Sequence, residues 1–180
     1  LHVSTCFVNG RTEGRVAEEV APDYTPCSAP EFSAKREWKI LHQAIDQITA
    51  ESETPHMTSL FRGEVLGKFG GEGQKVKEEA AVQSHIRKLR TRWIREQLIE
   101  MGKERARKWG WPNIYTYTKS LGESILLAEG NGLPFAIVRP SIVESSVKQP
   151  FRGWNEGVNT TAPLSYMLGT YFRQLPSNKR

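Results

Sequence analysis

Toward the carboxyl end of the chain, Phe135-Ala-Ile-Val138 runs without a polar residue between Pro134 and Arg139-Pro140. A short run that is apolar at successive rather than alternate positions suits a strand covered on both faces, as in parallel sheets flanked by helices. Parallel neighbours need a long crossover, usually a helix, and the preceding segment has the marks of one. Asn113 behind Pro112 is placed as an N-cap, Leu121, Ile125 and Leu126 form an apolar stripe, and Gly130-Asn131-Gly132 stops it. At the amino end, Leu1-His-Val-Ser-Thr-Cys-Phe-Val8 reads as a short strand breaking at Asn9-Gly10. Strand, helix and strand in this order predict an α/β fold on a parallel sheet.

The predicted helix carries Tyr115-Thr-Tyr-Thr-Lys119. Residues four apart share a helix face, so a phenol and an ammonium at this spacing can converge on one substrate oxygen. A free phenol titrates near pH ~10, and a neighbouring cation stabilises the phenolate. The pair is therefore a candidate proton donor to a carbonyl oxygen on which negative charge develops. Tyr117, two residues away, points elsewhere and does not pair with Lys119. Ser4 and Thr5 end the first strand, where ligands gather in open α/β sheets, and either hydroxyl is a candidate second donor. The order strand with Ser/Thr, helix with Tyr and Lys, strand with Arg-Pro-Ser is that of a reductase half-site.

Between these pieces, residues 31–109 are dominated by Lys, Arg, Glu and Gln, which explains a mean hydropathy of -0.52 and only 38% hydrophobic residues. Pro22, Pro26 and Pro30 with Asp23 and Ser28 mark a loop. Ala34 to Ala50 has Trp38, Leu41, Ile45 and Ile48 at helical spacing, and Glu51 to Pro55 breaks it. Lys68 to Lys75, with Gly70, Gly71 and Gly73, reads as a hinge rather than a phosphate cradle, because no Lys-Ser/Thr follows it. From Val76 a long helix is expected, with Val82, Ile86, Leu89 and Trp93 on one stripe, continued by Leu98 and Met101. The expected insertion is two antiparallel helices forming a flap over the site.

Arg87, Lys88, Arg90, Arg92, Arg95, Lys103, Arg105, Arg107 and Lys108 crowd that helix in a chain of net charge +5 and pI about 9.3. They read first as a solvated face, with CoA or NADPH phosphates, an acidic carrier protein or an anionic membrane face as functional readings. No nucleic-acid fold signature accompanies them, so nucleic acid is not an expected partner. Cys6 and Cys27 are read as free buried thiols, and His2, His42, His56 and His85 form no metal-type cluster. No apolar run approaches the ~20 residues of a membrane span, and no signal pattern opens the sequence; a cytoplasmic location is the default expectation.

Val3-Ser-Thr, Trp111-Pro-Asn-x-Tyr-x-x-Thr-Lys119-x-Leu-Gly-Glu123, Ile137-Val-Arg-Pro-Ser-Ile-Val143 and Pro150-Phe-x-Gly-Trp154 together resemble the fatty acyl-CoA reductases. These are extended short-chain dehydrogenase/reductases with a thioester-reductase-like NAD-binding domain. The resemblance covers about the first ten residues and about 105 to 175. It implies a partial Rossmann-type, doubly wound parallel sheet (its C-terminal half) with a long charged helical insertion at 31–109 in one reductase domain. The family's Gly-x-x-Gly-x-x-Gly loop lies ahead of the Val-Ser-Thr strand and is absent from these 180 residues, so the chain is expected to be an internal piece, inactive alone.

The resemblance further implies Thr5, Tyr115 and Lys119 as catalytic residues, Thr5 being chosen over Ser4 when the Gly10 turns are aligned. Tyr115, Lys119, Pro140, Ser141 and Ile142 would bind the cofactor, NADPH. The implied substrate is a long-chain acyl-CoA, reduced to aldehyde or alcohol, with peripheral membrane association of the whole protein. A carrier-bound thioester reductase, another extended short-chain dehydrogenase, or a non-enzymatic module working through the basic helix are the alternatives.

Overall fold

The computed structural model describes residues 1–69, 79–130, 132–156 and 162–170. The elements run β1 (His2–Val3), a 3-10 turn (Cys6–Asn9), α1 (Ala34–Ser52), α2 (Pro55–Phe69), α3 (Glu79–Lys108), α4 (Ile114–Glu129), β2 (Ile137–Val138) and α5 (Ala162–Thr170). Of the expected glycine hinge at 68–75, Lys68 and Phe69 belong to the end of α2 instead, and the rest lies outside the described residues, as do Val76 to Glu78 and Asn131.

The two strands pair in parallel, His2 with Ile137 and Val3 with Val138, as the strand–helix–strand order requires. The ladder continues past them. The amides of His2, Ser4 and Cys6 donate to the carbonyls of Ala136, Val138 and Pro140 at 2.8, 2.8 and 3.1 Å. Both strands are shorter than expected, and the described sheet has only these two. The first stops at Val3 because the Thr5 hydroxyl accepts from the Phe7 amide and caps the 3-10 turn, while Gly10 closes it at φ 71°. Nor is the sheet covered on both faces among the described residues, since Val3 and Val138 are about half exposed. The described fold is mostly helical, and the doubly wound sheet stands as an expectation.

Most of the burial is among helices. Phe32, Ala34, Ala106, Trp109, Trp111, Tyr117 and Leu121 form the main cluster, with Phe32 meeting the Trp109 and Trp111 rings edge-on at 5.0 and 5.9 Å. Gly110 turns the chain between the two tryptophans at φ 89°, and a Cβ there would lie 3.0 Å from the backbone nitrogen of Cys27; only glycine fits. A second cluster, Phe61, Val65, Val82 and Ile86 with Met57, Leu89 and Trp93, joins α2 to the first half of α3. With 30 residues, α3 is about 45 Å long and serves both clusters.

The helical region departs from expectation in three ways. There are three helices, not two, because Pro55 begins α2, at the one helical position where its missing N–H costs nothing. On α1 the buried face is Ala34, Glu37 and Ser52, whereas Trp38 and Ile45 are exposed. Finally, the helices back α4 rather than covering the site. Among the thiols, Cys6 is half-buried, and Cys27 is exposed rather than buried.

Several basic residues of α3 are engaged within the fold. Arg90 pairs with Glu53, Arg92 with Glu64 and Glu96, Lys103 with Glu100, and Arg105 with Glu37. Lys108 lies over the Trp109 ring. Arg87, Lys88 and Arg95 line, with Ser84, Thr91 and Arg92, an open groove of about 440 Å³.

Candidate active site

The ladder between the strand ends places Thr5 beside Pro140: the Thr5 hydroxyl donates to the Pro140 carbonyl at 3.5 Å while accepting from the Phe7 amide at 3.3 Å. On the other side, Asn113 caps α4 by accepting from the Thr116 amide at 2.9 Å, which fixes the first turn and with it Tyr115. Its phenol ring is 55% exposed on the wall of a cavity of about 770 Å³. Ser4, Thr5, Phe7, Tyr115 and the run Pro140 to Glu144 line this cavity, together with Ser146, Trp154, Asn155 and Glu156. Five of the six residues expected from the sequence, Thr5, Tyr115, Pro140, Ser141 and Ile142, thus share one space.

Lys119 stands behind that wall rather than in it. Its ammonium lies 6.0 Å from the centre of the Tyr115 ring and donates to the Val3 carbonyl at 2.9 Å. The acceptor is neutral, so the positive charge is oriented without being cancelled. Val3 is flanked by residues whose amides bond to β2, so its own carbonyl faces the opposite edge of β1; the lysine occupies that edge.

Tyr117 is part of the scaffold. Two residues on from Tyr115 it is rotated by about 200° and is 1% exposed, with its hydroxyl 2.7 Å from Glu37 Oε1. Glu37 also accepts from Trp109 Nε1 at 3.0 Å, Arg105 Nε at 2.6 Å and a second Arg105 nitrogen. Burial works to raise the Glu37 carboxyl, yet the hydrogen bonds from Arg105, Tyr117 and Trp109 outweigh it and hold the group below its ordinary value. The Tyr117 phenol is pushed up by burial and by its bond to that carboxylate. One further buried carboxylate, Glu123, takes two bonds from Arg139 at 2.9 and 2.5 Å, tying α4 to the start of the Pro140–Ile142 wall. Trp111 Nε1 donates to the Val8 carbonyl at 2.8 Å and anchors the 3-10 turn.

These supporting residues were not foreseen. Glu37 lies among charged neighbours in sequence, and Glu123 ends the Lys119-x-Leu-Gly-Glu motif without any sign there that its carboxylate is buried. Trp154 belongs to the Gly-Trp motif; it reaches the cavity because the Ser146 amide donates to its carbonyl at 2.7 Å and the Gly153 amide to that of Ser146 at 2.8 Å, closing the loop. With hydroxyls, apolar walls and carboxylates but no Lys or Arg among the described residues of its lining, the cavity suits an uncharged ring or carbonyl, not a phosphate. The nicotinamide end of a dinucleotide fits it on that ground. Among the described residues no cluster of His, Cys, Asp or Glu is placed to hold a metal, and no helix is long and apolar enough to cross a membrane.

The ends of two parallel strands and the first turn of α4 thus meet around a ligand-sized cavity. The chain belongs to the male sterility protein family of NAD-binding domains, whose model matches residues 1–179. It is 42% identical over 99 residues to the alcohol-forming fatty acyl-CoA reductase of Simmondsia chinensis, covering 51% of this chain and 20% of that protein. Over 177 residues it is 27% identical to the chloroplastic fatty acyl-CoA reductase 2 of Arabidopsis thaliana, covering 94% and 22%. A probable fatty acyl-CoA reductase 5 of the same plant is 48% identical over 70 residues, 39% and 14% of the two chains. The chain spans about a fifth of the length of the first two relatives. No solved structure matches it.

Proposed function

We propose that this chain is the catalytic segment of an NADPH-dependent reductase that converts long-chain fatty acyl-CoA thioesters to fatty aldehyde, and with a second hydride to fatty alcohol. The observation that carries the reading is the shared cavity, which holds the Tyr115 phenol and the Thr5 hydroxyl against the Pro140–Ile142 wall. The names of the relatives supply the substrate class.

When bound, the nicotinamide supplies a hydride to the thioester carbonyl carbon. Tyr115 meets the carbonyl oxygen as negative charge develops there and delivers its proton, and Thr5 shares that oxygen as a second donor. Lys119, beside the Tyr115 ring and held by the Val3 carbonyl, would stabilise the phenolate left behind and would be the residue to hold the ribose. Pro140, Ser141 and Ile142 form the wall for the nicotinamide ring and its carboxamide. The thiohemiacetal then releases CoA as its thiol, leaving the aldehyde. Phe7, Ile142, Val143 and Trp154 give the uncharged acyl end an apolar surface.

The test is the full-length protein with long-chain acyl-CoA and NADPH, followed by loss of the reduced-nicotinamide absorbance. Activity is expected in the native protein and absent in Tyr115→Phe. The open basic groove on α3 supports a second reading, an interaction module for an acidic partner. It prevails if reversing Arg87, Lys88 and Arg95 removes a partner while Tyr115→Phe changes nothing.

A further inference from the structure

Along α4, Tyr115, Lys119 and Glu123 follow one another at a spacing of four and so share one row of the helix. The row carries a phenol, an ammonium and a carboxylate in that order. Lys119 therefore stands one turn from the phenol on one side and one turn from an anion on the other. Its ammonium lies 6.0 Å from the centre of the Tyr115 ring and donates to the Val3 carbonyl at 2.9 Å. Among the described residues no carboxylate pairs with it. Glu123, only 2% exposed, accepts instead from Arg139, one oxygen from Nε at 2.9 Å and the other from Nη2 at 2.5 Å. The remaining nitrogen, Arg139 Nη1, donates to the Glu19 carbonyl at 3.2 Å, so the guanidinium is fixed from two sides.

We infer that Arg139 is a positioning residue that acts through Lys119: by engaging both oxygens of Glu123, it keeps that carboxylate from drawing the ammonium away from the Tyr115 phenol. This rests on the reductase reading above. A buried carboxylate left without a partner is costly, so Glu123 takes a cation from whichever element supplies one. The guanidinium fork meets both carboxylate oxygens at once and leaves neither to the ammonium one turn away. Without Arg139, the flexible four-carbon stem of Lys119 spans the turn to Glu123, as opposite charges at this spacing do. An ammonium neutralised there no longer favours the phenolate that forms when Tyr115 gives up its proton.

A double variant separates this role from a simple tie between α4 and the Pro140 wall. Arg139→Met breaks the tie and leaves a bare carboxylate beside Lys119. Arg139→Met combined with Glu123→Met breaks the same tie but leaves no anion, and an apolar replacement of a buried ion pair is commonly tolerated by the fold. The experiment measures kcat with long-chain acyl-CoA and NADPH, and the unfolding temperature, on full-length native protein and both variants. Arg139→Met should lower kcat at least about tenfold, part of what a positioned proton donor contributes, and the double variant should recover most of that loss. A double variant as slow as Arg139→Met overturns the inference, because the tie itself is then what matters. So does an Arg139→Met variant as active as the native protein; both results leave the reductase reading intact. Should Arg139→Met fail to fold, Arg139→Gln, which keeps a donor toward Glu123 without the charge, must show the same loss and the same recovery with Glu123→Met. If neither single variant folds, Arg139 is structural and the inference fails. A native protein that reduces no acyl-CoA overturns the reductase reading, and the role of Arg139 with it.

Discussion

Glu37 is a carboxylate enclosed by donors from two helices, and its titration gives the fold an acid limit. Because its folded value lies below the ordinary 4.5, the stabilisation is complete above that pH and drains away as pH falls through the depressed value. Urea unfolding between about pH 3 and pH 7 should show this slope, and Glu37→Gln should flatten it. At neutral pH the same substitution should cost about 3 kcal/mol, the low end for breaking a buried pair, because Arg105 stays partly wet. Tyr117 sets the opposite limit. Its phenol is held above the ordinary 10.0, so its contribution is full below that pH and is lost as pH rises through the raised value. Tyr117→Phe should remove this alkaline dependence and cost about 1.5–3 kcal/mol, as for a hydrogen bond to a charged group. Since Tyr117 faces α1, turnover per folded molecule should survive, in contrast to Tyr115→Phe.

At the scale of elements, the contact between α3 and α4 is set by a small residue. A Cβ at Gly102 would lie 3.1 Å from Ile114 Cδ1, one residue before Tyr115. Gly102→Val should wedge the helices apart, costing about 1–3 kcal/mol by overpacking and lowering kcat through displacement of the phenol; denaturant unfolding and steady-state kinetics read the two effects. The sequence announced α4 well, because Asn113, the apolar stripe and Gly130 are local signals with local causes. Parallel pairing was legible for the same reason, from the runs at Val3 and Ile137. Which face of α1 turns inward was not legible: Glu37 is buried only because Arg105, 68 residues away, comes to meet it, and periodicity ranks it below Trp38. Helix α2 was hidden by Pro55, which reads as a breaker unless its place in the first turn is known. In the candidate site, Tyr115, Thr5 and the Pro140 wall followed from motif order, whereas Glu144, Asn155 and Glu156 come in on a loop whose closure depends on hydrogen bonds between Ser146 and Trp154.

At the scale of the whole molecule, two hydrophobic clusters among the described residues share one long helix but differ in what encloses them. The cluster around Trp111 is fastened by Glu37, by aromatic contacts and by the Val8 carbonyl, while that around Phe61 holds a two-helix hairpin. Native-state hydrogen exchange should therefore find two opening units. Amides of Phe61 to Val65 and Val82 to Leu89 should open at lower free energy than those of Ala106 and of α4; uniform protection would show a single cooperative unit.

The lysine at the far edge of β1 has a consequence for solubility as well as chemistry. Among the described residues no strand pairs with that edge; an uncovered strand edge is a template on which another copy can add a strand, and a charged side chain laid across it is a common guard. Lys119 occupies the Val3 carbonyl in that manner. Replacing it with methionine should therefore promote concentration-dependent self-association, visible by sedimentation, alongside any loss of turnover. Kinetics of Lys119 variants carry mechanistic meaning only when compared at matched oligomer size.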